Sequence, residues 1–394
     1  MRLKSDYDAV VVGAGPAGCL FARTAAEKGV DVLVIDKKKD LGSPVRCGEG
    51  LDAKYINEFN LPRVPGAQPF EINGAALYGP KKQKIVLRTG VTKGFVLERK
   101  IFDKHLAIQA IRAGAHFLPK TIATSLIKNN GKITGVKAIR ENTEIELHAP
   151  LIVSAEGMEA KIAREAGFQA LASLYDTDTC FEYEMANVEC EDLIEIYFGN
   201  EIAPRGYVWV FPKGKDVANV GIGVGAGTGA NPKELLERFI ANDKRFDAAE
   251  PIEVKGGLIS VGAPIREFVK DNFMVIGTSA HQVDPIHGGG IGLAVEAGFI
   301  AGKTAAEAVE QKNFSREFLA KYEREWREKE GEKLEKRLKL RHVMEKLSDD
   351  DLNHVFNEVN DADVDALLRG EFKSVVAKIL LKRPSLLKVV SALL

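Results

Sequence analysis

The chain has 394 residues, 45% hydrophobic and 28% charged, with 55 basic against 56 acidic side chains and a net charge of −1. That length holds two or three domains, and the charge balance provides no global drive toward nucleic acid. The four cysteines, Cys19, Cys47, Cys180 and Cys190, form no C-x-x-C pair; they point to neither a disulfide framework nor a zinc site and fit a reducing cytoplasm.

MRLKSDYD at the start runs directly into an apolar segment, so no secretory signal is expected. No stretch is apolar enough to span a bilayer; 288–302 comes nearest and is interrupted by Glu296. Ala9–Val12 predicts a strand, followed by Gly13, Gly15 and Gly18 in G-x-G-x-x-G spacing, a helix through Phe21, Ala22 and Ala25, and a second strand, Val32–Ile35, ending in Asp36. Gly13 permits the tight turn, Gly15 lets a pyrophosphate approach the backbone, and Gly18 lets helix and strand pack closely. The helix N-terminus offers bare N–H groups to phosphate, and Asp36 stands where a carboxylate accepts from an adenosine ribose.

Gly42 to Gly50 (GSPVRCGEG) is an irregular loop placed to face a cofactor. Short strands are expected from Leu61 to Val96. Glu98 to Ala113 is read as an amphipathic helix with Ile101, Leu106, Ile108 and Ile111 toward the core. Asn129-Asn130-Gly131 marks a hairpin turn between strands near 122–127 and 133–139, with further strands at 144–147 and 151–154.

Arg164 to Gly257 is a second strand-rich segment. In YVWVFP (Tyr207–Pro212), Tyr207, Trp209 and Phe211 share one face of a strand. Gly221, Gly223 and Gly225 follow, leaving a strand face that another group can approach closely. After a buried strand at Phe273–Gly277, Gly288, Gly289 and Gly290 precede a helix and again present bare N–H groups. Arg316 to Leu347 is a charged helical region in which Glu323/Arg327, Glu325/Lys329, Glu332/Lys336 and Glu335/Lys339 are i,i+4 pairs.

With these pieces placed, the chain resembles the geranylgeranyl reductase family of flavoproteins, more closely its archaeal digeranylgeranylglycerophospholipid reductases, within a fold group that includes the hydroxylases related to p-hydroxybenzoate hydroxylase. The resemblance covers nearly the whole chain. It rests on VVGAGPAG (Val11–Gly18), GSPVRCGEG, LERKIFDKHL (Leu97–Leu106), YVWVFP with Gly221 and Gly223, and DPIHGGGI (Asp284–Ile291).

The resemblance implies an α/β fold: a discontinuous FAD-binding, Rossmann-like domain of the p-hydroxybenzoate hydroxylase type (1–60, 96–163 and 262–310). Into it is inserted an antiparallel-sheet domain for a prenyl lipid (61–95 and 164–261), and a helical region (311–394) follows. It implies FAD, held at its ADP half by Gly13, Gly15, Gly18 and Asp36, lined on the flavin side by Cys47, Gly48 and Gly50, paired with Arg99, and touched at the adenine by backbone around Ala123. Gly290 and Ile291 would donate N–H groups to the isoalloxazine edge, favouring the reduced form. Two positions depart from the wider group: Gly277-Thr278 replaces Gly-Asp, and Glu156-Gly157 replaces Asp-Gly. Thr278 retains a hydroxyl for a ribityl or phosphate oxygen.

The implied activity is saturation of geranylgeranyl double bonds of digeranylgeranylglycerophospholipid in archaeal-type membrane lipid synthesis. A plain alkene is a poor hydride acceptor, so an acid must protonate one carbon while reduced FAD supplies hydride to the other. Tyr207, Trp209 and Phe211 are expected to wall the substrate, stabilising an incipient tertiary cation by about 0.5–2 kcal/mol. Cys47, Tyr207 and Trp209 are the candidate catalytic residues. The proton donor is open among Cys47, His281, His287 and a flavin-bound water. Rival readings are a flavin monooxygenase and a flavin-loaded lipid-binding protein without turnover. The electron donor, NAD(P)H, a ferredoxin or another reductant, is external, because there is one dinucleotide turn. The expected location is cytoplasmic and peripheral on the inner face of the membrane. The tail, Phe372–Leu394, is basic and carries apolar stripes at Val376, Ile379 and Leu380 and at Leu386, Val389, Val390, Leu393 and Leu394. They either dock on a bilayer or fold back on the body.

Overall fold

The computed structural model describes residues 4–88, 92–369 and 371–387. The chain opens with β1 (Ala9–Val12), α1 (Pro16–Ala26) and β2 (Val32–Ile35). β3 (Gly50–Asp52), α2 (Ala53–Glu58), β4 (Phe70–Ile72), β5 (Gly74–Tyr78), β6 (Lys84–Arg88) and β7 (Gly94–Val96) follow. Next come α3 (Arg99–Arg112), β8 (His116–Leu118), β9 (Thr121–Asn129), β10 (Lys132–Arg140), β11 (Thr143–His148), β12 (Leu151–Ser154) and α4 (Lys161–Glu165). The central stretch holds β13 (Thr177–Ala186), β14 (Leu193–Tyr197), β15 (Tyr207–Pro212), β16 (Val217–Gly225), α5 (Pro232–Ala241) and β17 (Glu250–Ser260). β18 (Val269–Lys270), β19 (Phe273–Val275) and α6 (Ile291–Glu310) return to the first layer. The chain closes with α7 (Arg316–Trp326), α8 (Glu332–Met344), α9 (Asp349–Glu358), α10 (Asp361–Arg369) and α11 (Phe372–Lys382).

Two large sheets organise these elements. One has six strands in the order β18-β19-β12-β1-β2-β8 and is parallel from β19 to β8. Its inner strands β1, β2 and β12 are buried at every position. Continuous apolar strands of this kind are what a parallel sheet covered on both faces demands. The other has seven strands, β17-β13-β16-β15-β14-β5-β6, antiparallel except where β14 runs parallel to β5. A hairpin turned at Asn130 and Gly131 joins β9 to β10 in a three-stranded sheet with β11. A small antiparallel sheet is formed by β3-β7-β4.

Three expectations need correction. The face of α3 toward the core is Phe102, Leu106, Ala107 and Ala110, while Ile111 is exposed. Apolar residues on both sides of this helix blur its period, and contact with α1 selects the side that carries Phe102. Of the four i,i+4 pairs, Glu325/Lys329 does not form: Glu325 takes Lys303, and Lys329 takes Glu296. A π turn over 327–331, between α7 and α8, rotates these side chains out of helical register. The charged region is also not wholly solvated, because Leu319, Tyr322, Trp326 and Leu334 are core residues.

In the tail, Val375, Val376 and Ile379 of α11 are buried. Val375 and Ile379 pack with Ile85 of β6, Leu352 and Leu386, and Val376 packs with Leu340 and Val343. The first stripe therefore faces the body. Val389, Val390, Leu393 and Leu394 lie outside the described residues. No helix among the described residues is long and apolar enough to cross a membrane.

Candidate functional site

The first glycine turn divides its labour. Gly13 has φ +110°, and a Cβ there would stand 2.2 Å from the Ala155 carbonyl oxygen; one on Gly18 would stand 2.0 Å from that of Gly13. Both glycines are needed by the protein's own packing. A Cβ on Gly15 would meet nothing within 4 Å, so that backbone faces open space at the start of α1. Beside it, Asp36 accepts from Ala14 N–H at 2.7 Å and from Lys38 N–H at 2.7 Å, which fixes the carboxylate at the end of β2. Thr121 N–H donates to the Asp36 carbonyl, so β9, carrying Ala123, starts next to this corner.

The second glycine turn lies alongside the first. α6 starts behind Gly290 with no side-chain cap, as α1 starts behind Gly15. The two helices pack through small residues: a Cβ on Gly298 would stand 2.3 Å from the Ala17 carbonyl oxygen, and one on Gly302 would stand 2.8 Å from that of Phe21. Gly277 (φ +67°) lies between Ala17 and Ala294, and its turn brings Thr278 next to Gly290. A buried chain of hydrogen bonds holds this turn: Gly277 N–H donates to Gln282 Oε1, Gln282 Nε2 to Tyr322, and Tyr322 to the Val275 carbonyl. Glu156 accepts from Ser154 Oγ and from Ile162 and Ala163 N–H, so it serves the start of α4.

The seven-stranded sheet presents a grid. Across β17, β13, β16 and β15, the register aligns Gly257–Cys180–Gly223–Tyr207, then Lys255–Glu182–Gly221–Trp209, then Glu253–Glu184–Asn219–Phe211. Tyr207, Trp209 and Phe211 touch in sequence, with ring centroids 5.9 and 6.2 Å apart. The glycine face expected to admit another group admits the Trp209 indole, since a Cβ on Gly221 would stand 2.3 Å from Trp209 Cζ2. The 42–50 loop closes over the grid: a Cβ on Gly48 would stand 3.2 Å from Phe211 Cε2 and 3.3 Å from Trp209 Nε1, and one on Gly50 would stand 3.5 Å from Phe211 Cε2. Tyr207 donates to the His287 carbonyl oxygen at 2.7 Å, tying the grid to the second glycine turn.

Cys47 sits in this closed loop, its Sγ accepting from Glu49 N–H at 3.2 Å. Burial pushes its thiol up, with the Arg99 cation pulling back. Arg99 itself forms a two-point pair with Asp103, Nε and Nη2 each donating at 2.7 Å. Burial works against that guanidinium, and Asp103 more than compensates.

A buried ionic cluster within the grid, on the same face as the aromatic rings, is a feature the sequence reading does not include. Glu49 Oε2 accepts from Lys213 Nζ and Lys255 Nζ at 2.9 Å and from Asn219 Nδ2 at 2.8 Å, while Glu49 Oε1 accepts from Arg99 N–H. Lys213 also reaches Glu98 and Glu184, and Lys255 reaches Glu184 and Glu182. Burial raises the Glu49 carboxyl, but the two lysines outweigh it and hold it ionised. Burial pushes Glu182 up to about 8, against the pull of Lys255 and the Trp209 N–H. One signal was present in the sequence: Glu182 and Glu184 alternate with Phe181, Tyr183 and Met185, the mark of a strand with one polar face.

The two histidines are placed differently. His281 is buried, with Nε2 at 3.2 Å from the Ala170 carbonyl oxygen, and burial lowers its pKa. His287 is half exposed; its Nδ1 accepts from Gly289 N–H, and its Nε2 stands 3.3 Å from Asp284. Asp284 also pairs with Arg337. Each histidine is held by a loop, and the Tyr207 link to His287 goes through that residue's backbone.

Residues 176–259, which include the whole grid, match the family model of the geranylgeranyl reductase catalytic domain. Residues 11–50 match that of an NAD(P)-binding Rossmann-like domain. The chain is 39% identical over 376 residues to a digeranylgeranylglycerophospholipid reductase of Methanothrix thermoacetophila, covering 94% of this chain and 95% of that one. It is 40% identical over 398 residues to another of that name from Methanocaldococcus jannaschii, covering 100% of both. Among solved structures, a geranylgeranyl bacteriochlorophyll reductase-like protein from Thermoplasma acidophilum matches with a TM-score of 0.91 at 35% identity, over 99% of this chain and 100% of that one.

Proposed function

The chain belongs to the geranylgeranyl reductase family, and from that premise we infer that it is an FAD-dependent oxidoreductase that saturates the carbon–carbon double bonds of geranylgeranyl chains. Its substrate is a digeranylgeranylglycerophospholipid, the lipid named in its relatives. The observation that carries this reading is the Tyr207–Trp209–Phe211 face lying directly over Gly48 and Gly50.

The chain's own geometry fits FAD. Open space at Gly15, between two glycines filled by protein, is the cradle a pyrophosphate needs, and the fixed Asp36 carboxylate suits a ribose. Gly13, Gly15, Gly18, Asp36 and the backbone near Ala123 would hold the ADP half. Cys47, Gly48, Gly50, Arg99, Thr278, Gly290 and Ile291 would surround the flavin half. When bound and reduced, FAD supplies the hydride.

The remaining tasks fall to the protein. Tyr207, Trp209 and Phe211 bind the apolar chain, exclude water, and turn ring faces toward the carbon that gains positive charge. Cys47 keeps its proton on Sγ at neutral pH, because burial disfavours the thiolate. The N-termini of α1 and α6, side by side, favour negative charge on the groups they face. Electrons come from an external donor, NAD(P)H or a ferredoxin, and the lipid is taken from a membrane surface.

The test is anaerobic incubation of dithionite-reduced holoprotein with digeranylgeranylglycerophospholipid, followed by mass spectrometry of the chains. Mass gains of two hydrogens per bond, with matching flavin reoxidation, support the reading. Reoxidation by oxygen with hydroxylation of a phenol, and no change in the lipid, overturns it in favour of a monooxygenase.

A further inference from the structure

The mechanism above leaves Glu182 unused, although it occupies the centre of the grid. In its row, Gly221 is the one position without a side chain, and the Trp209 indole lies across it. The indole Nε1–H thereby reaches Glu182 Oε2 and donates at 2.7 Å, both residues being buried. Glu182 Oε1 stands 3.3 Å from Lys255 Nζ and makes no hydrogen bond. Gly221 thus joins a carboxylate on one strand to an indole two strands away. A hydrogen bond from an indole N–H to an ionised carboxylate is charge-assisted, and it loads electron density into the ring. An electron-rich ring face holds a cation more strongly.

We propose that Glu182 is a positioning residue of the reaction: its carboxylate, steadied by Lys255, holds the Trp209 indole flat over Gly221 and charges it, so that the wall facing the alkene stabilises positive charge best when Glu182 is ionised. This rests on Trp209 walling the substrate. The groups facing Glu182 are Lys255 from β17, Trp209 from β15, Glu49 and Cys47 from the 42–50 loop, and Cys180 and Glu184 from its own strand. Burial among them, with Lys255 as the nearest cation, puts the carboxyl at about 8, so its ionisation changes across the neutral to mildly alkaline range.

The sequence has two tryptophans, Trp209 and Trp326, so a 15N-indole spectrum of the holoprotein carries two resonances, with Trp326 as the internal control. Trp209→Phe assigns them. The Trp209 resonance is expected to move with pH around a midpoint of about 8, and the Trp326 resonance to stay still. In Glu182→Gln the movement should vanish. The alkene-reducing kcat should fall about tenfold with little change in KM and lose its rise with pH. If Glu182→Gln does not fold, the wild-type titration and Glu182→Asp, whose shorter side chain withdraws from the indole, decide. A Trp209 resonance insensitive to pH overturns the proposal, as does a Glu182→Gln enzyme with wild-type kcat and pH profile. A wild type whose Trp209 resonance titrates but which reduces no prenyl chain upholds the Glu182–Trp209 coupling and overturns the functional reading instead.

Discussion

In the six-stranded sheet, β1, β2 and β12 bury every side chain, and all but Ser154 are apolar. In the seven-stranded sheet, β13, β16 and β17 bury Glu182, Asn219 and Lys255 among their apolar residues. In the proposed function the first sheet acts through the turns at its strand ends, where Gly13, Gly15 and Asp36 lie. Its interior needs only the right volume and shape. In the proposed function the second acts through its face, and its interior carries charges whose desolvation must be offset by one another. A binding turn can thus be placed on an ordinary core, whereas a chemical surface changes the core that bears it.

The sharpest way to break this comparison is to remove what seals the second sheet. Truncation after Arg369 deletes the buried Val375, Val376, Ile379 and Leu386 and uncovers Ile85. At about 1.5–3 kcal/mol per side chain, the cost is about 6 kcal/mol or more. Thermal unfolding should then split, with the seven-stranded sheet melting first and FAD still bound. A single unshifted transition would show the tail to be dispensable.

Lys255→Met probes the charged interior directly. It leaves Glu49 and Glu184 with Lys213 alone and takes from Glu182 the one cation paired with it among the described residues, and the expected loss is about 3–5 kcal/mol in urea unfolding. Ile152→Val, equally buried in the other sheet, should cost about 0.5–1.5 kcal/mol. Equal losses would erase the distinction between the sheets.

Within the first sheet, Gly18→Ala and Gly15→Ala separate scaffold from cradle. The first drives a Cβ into the Gly13 carbonyl oxygen and should destabilise the fold by about 2–4 kcal/mol. The second meets nothing, so the apoprotein's melting temperature should hold while FAD retention falls. Calorimetry of the apoprotein and flavin release on dilution read the two effects.

The smallest effect is confined to a pH window. Burial raises the Asp284 carboxyl, but His287 and Arg337 outweigh it and hold it well below the usual carboxylate range. Its folded pKa is thus below the unfolded value of about 3.9, so its stabilisation is complete above that value and is lost as pH falls through the folded one. Asp284→Asn should cost about 1–3 kcal/mol at neutral pH, with the difference from wild type closing as acid is added.

The contrast also explains what could be read from the sequence. The strand–turn–helix from Ala9 to Asp36 was legible because strand, glycines, helix and acid lie within one local segment. So was the Tyr207–Trp209–Phe211 face, because period two needs only one strand. The ionic cluster was not: Glu49, Lys213 and Lys255 meet only when the 42–50 loop, the turn after β15 and the distant strand β17 come together. That the Gly221 face would be filled by Trp209 depended on strand register. The core face of α3 was misassigned because its apolar residues suit two sides, and only packing against α1 chooses between them.

The parallel pairing of β14 with β5 has a consequence for how the chain is made. β5 and β6 leave the ribosome as a hairpin whose next neighbour has yet to be synthesised, and β1 waits for β12 in the same way. The six-stranded sheet cannot close until Val275 has emerged, after the entire run of β13 to β17. Long-range pairing of this kind slows folding and leaves apolar strands unpaired during synthesis. The nascent chain should therefore depend on chaperones well past its midpoint, and pausing translation between β12 and β19 should raise the yield of soluble protein less than pausing it after α6.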